Sequence, residues 1–273
     1  MPELPEVETI ARGLRKTLTG KRVESLNVLD SSVLRQDEST LRKLVVSRVV
    51  ESVERRAKLL MLGLEGDVVF AFHLKMTGRV LAKPGDYAPG ARDRIIARLS
   101  GAATLSFQDV RRFGYCLALP VEDLQRWPFY ATLGPEPLSM GREAFAARFA
   151  GRKASIKSLL LNQCMIAGIG NIYADESLFA AGIHPEARPV DLSDERLGAL
   201  YDSLTAVLRK AIQENGSSIR DYLNAEGEPG AFQNSFQAYG RKGQPCKRCG
   251  APLQASRVAG RTSTYCPACQ RRR

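Results

Sequence analysis

From Pro229 to Arg273 the chain has no aspartate or glutamate, although the whole sequence carries 29 acidic residues. The same stretch holds Arg241, Lys242, Lys247, Arg248, Arg257, Arg261, Arg271, Arg272 and Arg273, nine basic residues in a chain of net charge +11. Charge concentrated in this way favours a polyanionic partner over an acidic metabolite. Disordered basic tails rarely carry what this stretch also holds: Phe232, Phe236, Tyr239, Tyr265 and four cysteines. Also missing is any apolar run long enough to span a membrane. The first ten residues, MPELPEVETI, are acidic where an export signal is basic, so a cytoplasmic location is expected. No internal repeat is apparent. With 44% hydrophobic and 25% charged residues, the 273-residue chain suffices for two globular domains of ordinary size.

What is present begins with a helix. Val7, Ile10, Leu14 and Leu18 recur at helical spacing, Pro2, Pro5 and Glu6 suit a first turn, and Gly20 ends the pattern. The terminus also has a chemical reading. Loss of Met1, which a small following side chain permits, would leave Pro2 with a free secondary amine beside the Glu3 carboxylate. From Lys21 to Leu119 the segments VVSRVVESVERR, KLLMLGL, DVVFAFHL, RIIARLS and TLSF read as strands separated by turns, which suggests a β-sandwich or barrel-like domain. Beyond LGPEPL the hydrophobic period changes from two to about 3.6. REAFAARFA, SIKSLLLNQ, IYADESLFAA and DERLGALYDSLTAVLRKAIQE read as helices, the last capped by Ser193 and stopped at Gly216. The expected organisation is a β-rich domain over 1–132, a linker over 133–138, a helical domain over 139–238 and a cysteine-bearing end over 239–273.

The most specific local signal is Cys246-x2-Cys249-x16-Cys266-x2-Cys269. Two such knuckles let four thiolates converge on one tetrahedral metal ion, for which zinc is the expected occupant, and the intervening APLQASRVAGRTSTY reads as a β-hairpin with Gly260 near its tip. A reducing compartment disfavours disulfides. Cys116 and Cys164 read as core residues. Arg261, beside the hairpin turn, is placed to reach a phosphate, or is a solvated surface arginine. In GIGNIYADES, Gly168 and Gly170 allow close backbone approach and Asn171 opens a helix, whose free N–H groups could hold a phosphate oxygen. In FQDVRRFGY, Arg111 and Arg112 could meet phosphate or a base edge and Phe113 could wedge between bases. A strand-end salt bridge with a core phenylalanine fits those residues as well, and Met76 in HLKMTGR reads equally as core filler.

Taken together, MPELPE, RRAK at 55–58, HLKMTG at 73–78, RRFG at 111–114, LGPEPL at 133–138, GIGNIYADESLFAAGIHP at 168–185, YGRKGQPC at 239–246 and the terminal cysteines resemble the bacterial formamidopyrimidine-DNA glycosylase family, in family order and over nearly the whole chain. The resemblance implies an α+β protein: an N-terminal β-sandwich with an N-terminal helix, then a helical domain with a helix–two-turn–helix and a four-cysteine zinc finger. It implies a bifunctional DNA glycosylase and abasic-site lyase, acting as a monomer on oxidised purines in damaged double-stranded DNA. Pro2 would be the nucleophile, Glu3 the acid and base, and Glu6 a positioning group. Lys58 and Lys157 would bind phosphate beside the lesion, Asn171 and Arg261 would clamp the backbone, and Met76, Arg111 and Phe113 would fill the space left by a flipped base. Residues 217–237 match a loop that closes over that base, with Gly227, Pro229 and Gly230 supplying mobility.

Lys75 and Val110 depart from the family pattern, where glycine and proline are frequent, and both flank the inserted trio. A glycosylase for oxidised pyrimidines and a non-catalytic zinc-ribbon binder are the competing readings. The Pro2–Glu3 pair argues against the second, because a pure binder has no use for it.

Overall fold

The computed structural model describes residues 1–219 and 221–272; Arg220 and Arg273, both within stretches singled out above, lie outside the described residues. Two compact units emerge, one of residues 1–131 with 214–233 and one of residues 132–213 with 234–273. The sequence pattern predicts one helical domain over 139–238, whereas residues 214–233 pack with the N-terminal unit.

In the first unit, helix α1 (Leu4–Leu18) buries Val7, Ile10, Leu14 and Leu18, as their spacing requires. Strand β1 (Val23–Val28) is followed by helix α2 (Glu38–Val45). The helix corrects the reading of Val45–Ser47 as strand: Leu41 and Val45 lie one helical turn apart on its buried face, and Ser47 has φ +68°. Strands β2 (Val50–Arg56), β3 (Leu59–Leu64), β4 (Val68–His73), β5 (Gly78–Pro84), β6 (Asp93–Leu99), β7 (Ala103–Asp109) and β8 (Tyr115–Pro120) complete a sandwich of two antiparallel sheets, ordered β1-β6-β7-β5 and β2-β3-β4-β8.

The near-continuous apolar runs of β3 and β4 follow from burial on both faces. Leu60, Leu62, Leu64, Phe70 and Phe72 enter the main core, while the alternate residues Leu59, Met61, Val69 and Ala71 pack under Leu124, Trp127 and Phe129. Trp127 directly precedes helix α3 (Pro128–Ala131).

Two loops cross between the sheets at one end of this sandwich. Residues 74–77 run from β4 to β5 and residues 110–114 from β7 to β8; register pairs His73 with Tyr115 in one sheet and Gly78 with Asp109 in the other.

The second unit contains α4 (Arg142–Phe149), α5 (Ile156–Leu161), α6 (Asn171–Ala180) and α7 (Asp194–Gln213). Leu197, Leu200, Leu204, Leu208 and Ile212 form the buried face of α7, and Ser193 Oγ accepts the Arg196 N–H at its start. Strands β9 (Gln254–Val258) and β10 (Arg261–Tyr265) form the hairpin. Both turn residues, Ala259 and Gly260, have positive φ (+49° and +72°), as a twist-matched two-residue turn demands. A two-stranded ribbon is marginal alone. This one is held by an apolar cluster of Phe179 from α6 with Ala238, Cys246, Leu253 and Cys266. Cys116 is buried as expected, but Cys164 is exposed, because it sits in the turns after α5, where its backbone rather than its side chain is engaged. Among the described residues no helix is long and apolar enough to cross a membrane.

Candidate active site and nucleic-acid interface

Pro2 and Glu3 are buried at the head of α1, while Met1 stands exposed. Glu6 holds this terminus: its Oε2 accepts the Glu3 N–H at 2.8 Å, one half of a capping arrangement. Its Oε1 accepts the Ser217 N–H at 2.8 Å, and the Glu6 carbonyl accepts the Tyr222 hydroxyl at 3.3 Å. One buried carboxylate therefore joins the N-terminus to residues 214–233. That segment is further fixed by Ala82 N–H donating to the Ala225 carbonyl (2.9 Å) and by Asn224 Oδ1 accepting from Glu226 and Glu228 N–H. A Cβ on Gly230 would stand 2.3 Å from the Gly216 carbonyl oxygen, so glycine permits close backbone packing there.

Lys58 lies in the two-residue turn Ala57–Lys58 between β2 and β3, and is buried despite that position. His73, which nothing in HLKMTG marks out by sequence, is buried at the end of β4. Its Nδ1 accepts the Lys75 N–H at 3.1 Å, and its ring stacks on Tyr115. Burial, then the positive charges of Lys75 and Lys58, push its pKa down to about 3, so the imidazole is neutral at physiological pH.

The two crossing loops present apolar side chains outward. Met76 is 41% exposed and Phe113 50% exposed, so neither is core filler. The Arg111 guanidinium lies over the Phe113 ring, 4.6 Å from its centroid. Arg112 is engaged differently, pairing with Asp30 at 2.9 Å. Lys75 takes the conformation natural to the glycine frequent there, with φ +49°, and its ammonium sits over the Tyr115 ring.

In the second unit, Asn171 is the first residue of α6, and its Nδ2 donates to the Thr262 carbonyl at 3.0 Å. Arg261 is exposed at the start of β10. Lys157 requires a correction. It is fully buried, its Nζ 2.6 Å from Asp175 Oδ1 and 3.0 Å from the Thr262 carbonyl, so it faces no solvent from which to meet a phosphate. Asp175 in turn accepts the Ser263 hydroxyl and the Thr264 N–H. Lys157 and Asp175 thus seat β10, and with it Arg261, against α5 and α6. Glu176 does the same for the chain entering the hairpin, accepting the N–H groups of Gln237, Ala238 and Tyr239. The sequence carries a signal for both acids, since IYADES brings two adjacent carboxylates into a helix with no other charged residue.

The Cys246, Cys249, Cys266 and Cys269 sulfurs all lie within 4.8 Å of one another. Zn–S bonds of about 2.3 Å place tetrahedral sulfurs roughly 3.8 Å apart, so the cluster fits one structural zinc ion. Arg248 N–H and Cys269 N–H point at the Cys246 and Cys266 sulfurs, which suits thiolates.

A helix-headed β-sandwich, a helical unit and a four-cysteine hairpin define the zinc-hairpin DNA glycosylases of base-excision repair. Family models match in order: the formamidopyrimidine-DNA glycosylase N-terminal domain over residues 1–116, its H2TH domain over 133–222, and a zinc finger found in FPG and IleRS over 243–272. A formamidopyrimidine-DNA glycosylase of Geobacillus kaustophilus is 40% identical over 99% of this chain and 100% of its own length. One from Nitratidesulfovibrio vulgaris is 53% identical over 74% of this chain, which spans 55% of that relative. Among solved structures, Lactococcus lactis Fpg in complex with abasic-site DNA has a TM-score of 0.91 at 34% identity, covering 99% of this chain and 100% of that one. MutM in complex with carbocyclic 8-oxo-G containing DNA has a TM-score of 0.90 at 34% identity and 99% coverage of this chain. The chain belongs to the formamidopyrimidine-DNA glycosylase family.

Proposed function

We propose that the protein excises oxidised purines, 8-oxoguanine and formamidopyrimidines, from damaged duplex DNA and then nicks the strand, working as a cytoplasmic monomer. The observation that carries this reading is the buried Pro2–Glu3 terminus held by Glu6 in a unit that also raises Met76, Arg111 and Phe113 to its surface.

Removal of Met1 turns the Pro2 nitrogen from an amide into an amine. An α-amino group titrates near 7.7–8.0 and a lysine near 10.4, so at neutral pH the terminal amine has on the order of several hundred times more of its neutral form. Its lone pair attacks C1′ and the bond from C1′ to the damaged base breaks, its electron pair leaving with the base, which takes up the proton lost from the Pro2 nitrogen; Glu3 protonates the ring oxygen as the C1′–O4′ bond breaks and the sugar opens. The resulting iminium carries positive charge and withdraws electrons from C2′. Loss of a C2′ proton then expels the 3′-phosphate, and a second elimination expels the 5′-phosphate. Arg111 donates to the acceptor edge of the cytosine left unpaired, which suits a lesion derived from guanine. Asn171 and Arg261 hold backbone phosphates, and the zinc ion keeps the hairpin folded.

Borohydride reduction during reaction, run with 8-oxoguanine opposite each of the four bases and with an oxidised pyrimidine, tests the reading. A covalent adduct on 8-oxoguanine opposite cytosine is expected. The same protein with Met1 retained, verified by mass spectrometry, should bind the duplex yet form no adduct, release no base and cut no strand. Activity with Met1 in place would overturn Pro2 as nucleophile, and preference for the pyrimidine would overturn the lesion class.

A further inference from the structure

We propose that Asp109 is a positioning residue that locks the loops carrying Met76, Arg111 and Phe113 into one wedge; this rests on the reading of those three side chains given above. Asp109 ends β7, directly across from Gly78 at the start of β5, so the two inter-sheet loops leave the sheet side by side. Its carboxylate is fully buried and serves both loops at once. Oδ1 accepts the Thr77 hydroxyl, from the loop of Met76, and the Arg111 N–H at 3.1 Å. Oδ2 accepts the Gly114 N–H at 2.6 Å, immediately after Phe113. Thr77 closes the ring, because its hydroxyl oxygen accepts the same Arg111 N–H at 3.2 Å.

Among the described residues no cation pairs with this carboxylate, so its charge is met by loop donors rather than by an ion pair. The local sequence is built around it. A Cβ on Gly114 would lie 2.9 Å from Asp109 Oδ2 and 3.0 Å from the Phe107 ring, and a Cβ on Gly78 would lie 2.5 Å from the Leu74 carbonyl oxygen. Exposed methionine and phenylalanine side chains on untethered loops would collapse onto the sandwich to shed water-exposed surface. Tied to one carboxylate, they stay raised and move together, which inserting into a base stack requires. Asp109 contacts the wedge only through backbone and Thr77, and so acts on the reaction through geometry.

The test uses the full chain with zinc. Asp109→Asn puts an amide N–H2 where a loop donor now points, and Thr77→Val removes the hydroxyl that joins the loops while leaving the Asp109 bonds to Arg111 and Gly114. Three readouts are compared: single-turnover excision of 8-oxoguanine opposite cytosine, cleavage of a preformed abasic site in single-stranded DNA, and fluorescence of 2-aminopurine opposite a non-cleavable abasic analogue. Misplacing a reacting geometry by about 1 Å costs on the order of 10²-fold, so a loss of that order is expected on the duplex lesion for both variants. Single-strand cleavage, which needs no wedge, should stay near the unmodified rate, the 2-aminopurine signal should weaken, and Thr77→Ser should restore duplex excision and fluorescence.

Equal losses on the duplex and single-stranded substrates would overturn the proposal, as would wild-type duplex excision by a folded Thr77→Val. Should Asp109→Asn fail to fold, Thr77→Val and Thr77→Ser decide. Failure of the glycosylase reading looks different: the unmodified protein would give no borohydride adduct, while the fluorescence readout, which needs no chemistry, would still report the wedge.

Discussion

At the scale of single residues, environment decides more than identity. Lysine 58, a hairpin-turn residue, and lysine 157, at a helix start, are both buried, whereas Phe113 and Met76 are exposed. His73 gives a consequence that can be measured. Its folded pKa, pushed down to about 3 by burial and by Lys75 and Lys58, lies below the unfolded value of about 6.5. Between those values the unfolded chain binds a proton that the native protein does not. The stability from the neutral imidazole is therefore fully present above about pH 6.5 and is lost as pH falls toward 3, by up to about 1.4 kcal/mol per pH unit. Urea unfolding from pH 7 to 4.5 should show a shallower pH slope for His73→Gln than for the unmodified protein. His184 also has a lowered pKa through burial, but it is common to both proteins and leaves the difference to His73. Identical slopes would mean that His73 is protonated in the folded state.

Elements are held by a few polar ties that cross between them. Lys157 on α5, Asp175 on α6 and the Thr262–Thr264 backbone of β10 form one such tie, and the hairpin depends on it. Lys157→Ala would leave a buried carboxylate without its cation, a loss of about 3–5 kcal/mol. We expect a lower melting temperature and weaker DNA binding for this variant, with an unchanged slope of log affinity against log salt, because the fully buried ammonium releases no counterion from DNA. Arg261→Ala should reverse that pattern, with near-native stability and a salt slope smaller by about one. A reduced slope for Lys157→Ala would restore it as a phosphate ligand. The tie is only half legible beforehand: the helical period of SIKSLLLNQ marks α5, but nothing local says that its lysine points inward to an aspartate 18 positions on.

For the molecule as a whole, metal and charge act together. The zinc hairpin brings much of the acid-free segment into ordered structure, and its apolar contact with α6 passes through Cys246 and Cys266 themselves. Cys249→Ser should release zinc, since three thiolates close the site poorly, and DNA affinity should fall with it. Metal content by mass spectrometry and duplex binding at fixed salt check both. Full affinity without metal would separate the hairpin from DNA binding. The sandwich unit shares no residue with that site and should retain its own unfolding transition.

Features encoded over a few neighbouring residues are legible before folding. The four-cysteine spacing, the α1 stripe, the Pro2–Glu3 pair and the turn at Gly260 are all of this kind, because knuckles, helices and tight turns are specified by residues within a turn or two of each other. Features that depend on partners far along the chain are not legible before folding. Short runs of β-branched and aromatic residues between turns mark β4 and β7, but only the register of Gly78 with Asp109 sets the loops of Met76 and Phe113 side by side. The helix stop at Gly216 was visible, yet the attachment of 214–233 to the first unit rests on Glu6 reaching Ser217, 211 residues away. A carboxylate reads the same in sequence whether it caps a solvated helix or binds two distant backbone groups; burial, which only the folded chain supplies, makes the difference.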